Sequence, residues 1–460
     1  MKNIAYKNMG SLFVLITLFL AAWGLTSCEE SDDGSNSPMT ITKVYLENAR
    51  SSVTDREVTF ARIGQLLRLE GSGFTGVQKV YFNGKSTTYN SALATDNNLF
   101  VQIPNGTPII DVDPDLHNTI ILEKGSIQYK HSFEIRDAAP AITNVSHTMP
   151  LLGEWITIEG SGLINVTKVV FPGNIEVTTD IVSDEEGKFF KVKMPEGVPS
   201  TGGSIFIECA NGGAYSPAFF NCKAGLILDF DGHGIPASWS DNMVKSDDFL
   251  NAVIGEGNVS QGYYCPMIPD RLAPVKAGQV RAIELWTSGD DDWDWRAKFV
   301  PSLFDASTPL DKIALQFDIY VPEEWNNTGF LGINLANNFD AGNQWKGEFY
   351  NYIPWLSGST TVPFKTLGWT TVTIPFNNFY KFSADQKTFE DILVLRETAS
   401  YKNFGMFFNN NDFNLKNITG RDADESTEFL SSATSVKVYV DSFRLVSIET
   451  PAYSDFPDEE

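Results

Sequence analysis

Gly64–Gly84 reads GQLLRLEGSGFTGVQKVYFNG, and Gly153–Gly173 reads GEWITIEGSGLINVTKVVFPG. The two stretches lie 89 residues apart and agree at ten of 21 positions, Glu70-Gly71-Ser72-Gly73 against Glu159-Gly160-Ser161-Gly162 among them. Further on, Val101-Gln102-Ile103-Pro104-Asn105-Gly106 answers Val192-Lys193-Met194-Pro195-Glu196-Gly197. Self-similarity of this extent marks a duplication, and two copies of about 90–100 residues make beads rather than a solenoid. Leu67-Arg68-Leu69 and Ile156-Thr157-Ile158 alternate as half-buried strands do. The Gly-Ser-Gly that follows supplies positive φ for a tight turn. Val80-Tyr81-Phe82 and Val169-Val170-Phe171 then open the next strand. Short strands separated by turn signals at this spacing predict a β-sandwich in each copy.

Outward from the repeats, the second half of the chain also reads as β. Ile313, Leu315, Phe317, Ile319 and Val321 alternate with Ala314, Gln316, Asp318 and Tyr320. Thr370–Ile374 and Val436–Val440 behave similarly, and no segment shows a long helical period. With a boundary near Lys223-Ala224-Gly225, the remaining stretch of about 225 residues is within the range of one large sandwich. The chain of 460 residues carries a net charge of −24, which argues against nucleic acid as a partner because a polyanion meets a repulsive field and no basic run offsets it. Four cysteines are too few for a disulfide scaffold. An exported chain could pair Cys209 with Cys222 across the hairpin-like stretch between them, or leave both as thiols.

The N-terminus reads as an address. Lys2 and Lys7 precede an apolar run, Leu12 to Ala22, that has signal-peptide proportions and is short for a membrane span. Leu25-Thr26-Ser27-Cys28 resembles a bacterial lipobox, which would make Cys28 the lipid-modified first residue; a plain secretory signal is the alternative. Glu29-Glu30-Ser31-Asp32-Asp33-Gly34 resembles the acidic export signal of Bacteroidetes surface lipoproteins, and also reads as a solvated linker. The expected organisation is signal 1–27, acidic linker 28–38, repeats 39–138 and 139–223, large sandwich 224–450 and tail 451–460.

The repeats resemble the immunoglobulin-like IPT/TIG family: Pro140-Ala141-Ile142-Thr143, then the Gly153-x-x-Ile-Thr-Ile strand, then Glu-Gly-Ser-Gly. Such repeats usually act as spacers. Leu226–Gly232, Gly368–Phe376 and Val438–Leu445 resemble strands of jelly-roll carbohydrate-binding modules. Taken together, the architecture resembles the surface glycan-binding lipoproteins of Bacteroidetes polysaccharide-utilisation loci. The resemblance implies an all-β chain, two tandem Ig-like sandwiches followed by a larger jelly roll. It also implies a polysaccharide ligand, a lipid anchor facing outward from the outer membrane, and, as partners, a TonB-dependent transporter and a companion glycan-binding lipoprotein.

The aromatic content fits that expectation. Eight of the ten Trp lie beyond residue 223. Indole offers a flat apolar face to the C–H side of a pyranose and leaves the hydroxyls to polar neighbours. Two segments mix aromatic with polar residues: Trp286–Arg296, with Trp286, Trp293 and Trp295, and Asn343–Trp355, with Trp345, Tyr350, Tyr352 and Trp355. These seven are the candidate sugar-binding residues. Gln316, Asp318 and Tyr320 would line a concave sheet face or a solvated edge. Trp239, Trp325 and Trp369 read as structural. An extended platform suits a β-glucan such as xyloglucan or mixed-linkage glucan, and anionic polysaccharides fit poorly with so many aspartates.

Asp229-Phe-Asp231-Gly-His-Gly234 matches an EF-hand at the first, third and sixth positions only; Ser240 stands where the bidentate Glu belongs, so an EF-hand is excluded. Asp229, Asp231 and Asp441 are nevertheless placed as a structural calcium set of the jelly-roll kind, with turn-capping aspartates as the alternative. No other cofactor is indicated. Four scattered His (117, 131, 147 and 233) and the absence of H-E-x-x-H and G-x-S-x-G argue against a hydrolytic triad or catalytic zinc. The reading is therefore a non-catalytic binder. A surface adhesin for a protein partner and an endo-glycosidase using carboxylates of Asp290–Asp294 remain as alternatives.

Overall fold

The computed structural model describes residues 38–48, 51–267, 274–288, 294–336, 349–379, 387–416 and 427–456. Two compact units divide the chain: 1–138 with 456–460, and 139–455.

Each repeat packs two four-stranded antiparallel sheets to one plan, and in the first Phe60–Arg62 and Glu134–Arg136 add a parallel pair. In the first, Arg56–Glu57, Thr40–Glu47, Leu66–Ser72 and Asn98–Gln102 form one sheet, and Lys85–Thr87, Lys79–Phe82, Thr119–Lys124 and Ile127–Ser132 the other. In the second, the sheets are Ala141–Val145, Trp155–Ser161, Phe189–Lys193 and Ile181–Ser183 against Ile175–Val177, Lys168–Phe171, Phe206–Cys209 and Gly212–Tyr215. The 89-residue offset carries strand Leu66–Ser72 onto Trp155–Ser161 and Lys79–Phe82 onto Lys168–Phe171, residue for residue.

The repeated Gly-Ser-Gly has two physical jobs. A Cβ on Gly71 or Gly160 would collide with the carbonyl of Thr40 or Ala141 on the neighbouring strand. Both approaches sit beside a register shift, between Ile41 and Lys43 and between Ile142 and Asn144. The second glycine, Gly73 or Gly162, has φ of +76° or +67°, the left-handed turn that ends the strand.

The third sandwich has two sheets, labelled here in chain order. Sheet I runs β1 (Leu226–Leu228), β9 (Tyr439–Ser447), β4 (Ile313–Tyr320), β7 (Thr370–Pro375), with β2 (Cys265–Pro266) also on β9. Sheet II runs β3 (Gln279–Trp286), β8 (Gly405–Asn410), β5 (Phe330–Asn334), β6 (Phe349–Tyr352). Two short helices, α1 (Trp295–Phe299) and α2 (Phe389–Thr398), flank them. Period-two alternation puts Ile313, Leu315, Phe317 and Ile319 of β4 into one core with Ile283, Leu285, Leu331, Ile333, Met406 and Phe408 of sheet II.

The other face of β4 is neither a concave ligand surface nor a solvated edge. It is buried, Gln316 and Asp318 against the second repeat and Tyr320 within the C-terminal domain, which corrects the expectation for all three. Thr148 Oγ1 donates to Gln316 Oε1 at 3.0 Å, and Thr371 N–H to the Ser146 carbonyl at 2.9 Å. Arg444 on β9 donates to Asp318 Oδ1 at 3.0 Å and to Thr148 Oγ1 at 2.7 Å. Burial would raise the Asp318 pKa, but the Arg444 guanidinium and His147 outweigh it and hold the carboxyl down to about 2. Tyr320 packs with Tyr264 and Trp369. Ala314 and Val446 join the core of the second repeat itself.

Cys209 and Cys222 are both free thiols. The hairpin pairs Cys209 with Gly212 near its turn, whereas Cys222 follows the Gly203–Phe220 bridge at its base, so the two lie at opposite ends. Among the described residues no helix is long and apolar enough to cross a membrane. The signal, Cys28 and residues 29–37 of the acidic linker lie outside the described residues.

Candidate glycan-binding face

The outer face of sheet II differs from the sealed face of sheet I: Glu284, Trp286, Asn334 and Phe407 are buried on it too, but under a layer that carries an exposed indole, Trp239. Register sets Glu284, Phe407, Gly332 and Asn351 in one row across it, and Trp286, Gly405, Asn334 and Phe349 in the next. The glycines are the reason aromatic rings can lie down on the sheet. A Cβ on Gly405 would collide with the Trp286 indole, and one on Gly332 with the Phe407 ring. The two rings lie 6.2 Å apart at 30° and pack with Ala237 and Met243 as a small cluster apart from the main core.

The free edge of β3 is covered by the segment after β1. Ala237 N–H donates to the Trp286 carbonyl at 2.7 Å, and Val244 N–H to the Glu284 carbonyl at 2.9 Å. Between these anchors the chain loops outward and lays the Trp239 indole 6.4 Å from Trp286, tilted by 34°. One side of Trp239 thus meets Trp286, and the residue stays 55% exposed. Below it, the buried Glu284 carboxylate is held by Asn242 Nδ2 at 2.6 Å, by Trp286 Nε1 at 2.7 Å and by Arg281 Nη1 at 3.6 Å. Asn334, on the same face, is buried, and its side-chain N–H2 has no acceptor among the described residues. An unmet donor of this kind costs roughly 1–3 kcal/mol.

The sequence-derived candidates fare unequally. Trp286 is on this face but is 1% exposed, beneath Trp239 rather than open to ligand. Trp295 is interior: Asp294 Oδ1 accepts the Ala297 N–H at 3.0 Å and caps helix α1, which turns the indole into the core instead of along a strand. Trp355 is interior too, its Nε1 donating to the Gly329 carbonyl at 2.7 Å while Phe413 and Phe429 pack on the ring. Tyr350 and Tyr352 pair with Ile333 and Leu331, so alternation points both toward the core, where Tyr352 meets Phe317 edge-on at 5.8 Å. Burial pushes the Tyr352 phenol up. Trp293 and Trp345 lie outside the described residues. Trp325 and Trp369 are interior, as expected. Trp239, expected to be structural, is instead the exposed indole; its setting in Gly-Ile-Pro-Ala-Ser-Trp-Ser-Asp-Asn, polar and turn-rich, was the available signal.

One positioning residue was not foreseen. Arg396 of α2 is buried, with its guanidinium 3.8 Å from the Trp295 ring centroid. It donates to the Leu335 carbonyl just after β5, and to the Lys402 carbonyl, at 2.6 Å, just before β8. A single planar fork thus ties α1, the end of β5 and the approach to β8.

Asp229, Asp231 and Asp441, the calcium candidates, engage in turn and loop hydrogen bonds. Among the described residues no three acidic, His or Cys side chains converge as ligands. Asp229 accepts the N–H groups of Asp231 and His233 at 2.9 and 2.8 Å and meets His233 Nδ1 at 2.6 Å. Asp231 accepts the Tyr263 N–H at 3.0 Å. Asp441 bonds to Ser260 Oγ and accepts the Ser442 N–H at 2.7 Å.

Residues 220–447 match the sequence model of the surface glycan-binding protein B xyloglucan binding domain. The C-terminal domain is thus similar to the glycan-binding domain of surface glycan-binding protein B. An IPT/TIG domain-containing protein of Bacteroides ovatus is 23% identical over 394 residues, 83% of this chain and 69% of that one. A surface glycan-binding protein B of Prevotella bryantii shares the fold, with a TM-score of 0.60 at 17% identity over 90% of this chain and 99% of that one. A surface glycan-binding protein B from a complex xyloglucan utilization locus in Bacteroides uniformis aligns over 89% of this chain and all of that one, at 18% identity and a TM-score of 0.46. The matched residues span the domain that carries sheet II.

Proposed function

We propose that the chain is a non-catalytic polysaccharide-binding protein of the cell surface. Sheet II takes up a neutral β-glucan such as xyloglucan or mixed-linkage glucan and holds it for a TonB-dependent uptake system. The observation that carries this reading is the Trp239 indole, supported from below by Trp286 and open above, beside Ser240, Asp241 and the Asn242–Glu284 pair. An apolar plate with hydroxyl and amide groups at its rim is what a sugar ring requires, since its C–H face stacks and its edge hydroxyls need partners. The domain's similarity and the acidic net charge support a neutral glycan over an anionic one. The reading includes lipid attachment at Cys28, display outward from the outer membrane, and a companion glycan-binding lipoprotein.

Affinity electrophoresis of the full chain against a polysaccharide panel tests it. Retardation by xyloglucan or mixed-linkage glucan, with no new reducing ends released, is expected. Mobility unchanged on every glycan would overturn it in favour of an adhesin, and release of products would make the chain a glycosidase.

A further inference from the structure

The junction between the second repeat and the C-terminal domain holds a cleft of about 470 Å³, within the roughly 300–1,000 Å³ typical of ligand sites. One wall comes from the repeat. Trp155 opens strand Trp155–Ser161 and pairs with Lys193, and the same outward face carries Lys191 and Val182. The next residue, Ile156, is fully buried, while Trp155 is 40% exposed, with the Lys193 ammonium 5.1 Å from its ring centroid. The first repeat has Leu66 at the equivalent place, so the indole belongs to this junction and not to the repeat plan.

The other wall is Glu256-Gly257-Asn258 of the C-terminal domain. It is held in place: Trp369 N–H donates to the Asn258 carbonyl at 2.9 Å, Val259 N–H to Glu154 Oε1 at 2.8 Å, and Asn258 Nδ2 meets His147 Nδ1 at 3.2 Å. Neither Lys191 nor Glu256 has a side-chain hydrogen bond or ion pair among the described residues, and both are exposed. The cleft therefore offers one open indole, a free donor on one wall and a free acceptor on the other. These are the groups that meet a sugar, and they differ from the apolar anchor cluster of a protein interface.

We propose that this cleft is a second, short saccharide subsite for the same neutral polysaccharide, with Trp155 as its stacking face and Glu256, Asn258 and Lys191 meeting hydroxyls. The proposal rests on the glycan-binding reading above and adds a contact outside sheet II. A polymer long enough to reach both places gains by bivalency, whereas a short oligosaccharide occupies one at a time.

The test compares wild type, Trp155→Ala and Trp155→Phe as full chains. The readouts are electrophoresis in polysaccharide and titration with short oligosaccharides of the same glycan. Loss of one aromatic stack corresponds to roughly a two- to twelvefold weakening. W155A is expected to weaken polymer retention by about that factor and W155F by less, with an unchanged unfolding midpoint and unchanged affinity for the oligosaccharide that fills sheet II. Equal retention of W155A and wild type on every glycan that the wild type binds would overturn the subsite and leave the cleft to a protein partner. Absence of glycan binding by the wild type itself would instead overturn the proposed function.

Discussion

Gln316, Asp318 and Arg444 lie on the outer face of sheet I, and Glu284, Trp286 and Phe407 on the outer face of sheet II. Both sets are buried and both come from alternating strands, yet the first is locked and the second is layered. On sheet I a guanidinium, a carboxylate and two threonine hydroxyls close on one another, and the second repeat covers them. On sheet II, rings lie flat over glycines and one further indole rests on top with its outer side open. Charge that is buried and paired fixes geometry because a lone partner cannot be left behind. Stacked apolar surface with a polar rim can exchange water for ligand. One sheet therefore holds the domain to the second repeat, and the other carries the exposed indole on which the proposed binding rests.

The largest effect is expected at the locked face. Asp318→Asn leaves the buried Arg444 without its counter-charge, and loss of one partner from such a pair costs about 3–5 kcal/mol. Denaturant unfolding should show this, while glycan affinity well below the unfolding transition stays unchanged. If D318N instead lowered affinity without lowering stability, the division of labour between the sheets would be wrong.

The same pair sharpens the comparison through pH. Asp318 is held down to about 2 from an ordinary value of 3.8. A depressed carboxylate contributes stability that is fully present above its unfolded pKa and is lost as pH falls through the folded one. Acid should thus remove about 2 kcal/mol between roughly pH 4 and pH 2. D318N should lack that portion of the acid dependence, whereas a Glu284→Gln variant should retain it.

On sheet II, Gly405→Ala puts a methyl group where the Trp286 indole lies. Displacing the ring should cost about 1–3 kcal/mol, as overpacking does, and should weaken glycan binding by disturbing the support of Trp239. Binding unaffected by G405A would show that Trp286 is not the floor of the site.

The expected contrast in legibility follows the same physics. The repeat fold could be read from the ten shared positions and from the alternation of Leu67-Arg68-Leu69 and Ile156-Thr157-Ile158, whereas the close strand approach at Gly71 and Gly160 is seen only in the structure. Leu226–Leu228 and Val438–Leu445 were legible as strands only by their resemblance to jelly-roll modules, and their pairing emerges from the structure. Which indole would be open could not be read in this way. Trp286 and Leu285 are neighbours on one strand, and only the register with Gly405 and the cover from Trp239 decide how each is buried. Trp295 was misplaced because a five-residue helix has no period to detect; its one local sign was the N-cap Asp294. Tyr350 and Tyr352 were misjudged because pairing with Leu331 and Ile333, distant in sequence, sets which way they face. Long-range register thus governs the site, while short-range alternation marks the repeat.

The smallest effect on the fold, and the most direct test of the account, belongs to Trp239→Ala. The measurement is isothermal titration of the full chain and its W239A variant with a xyloglucan or mixed-linkage oligosaccharide. The account predicts binding by the wild type, weakened roughly two- to twelvefold or more in the variant, with the unfolding midpoint almost unmoved. Equal affinity in the two proteins would contradict it.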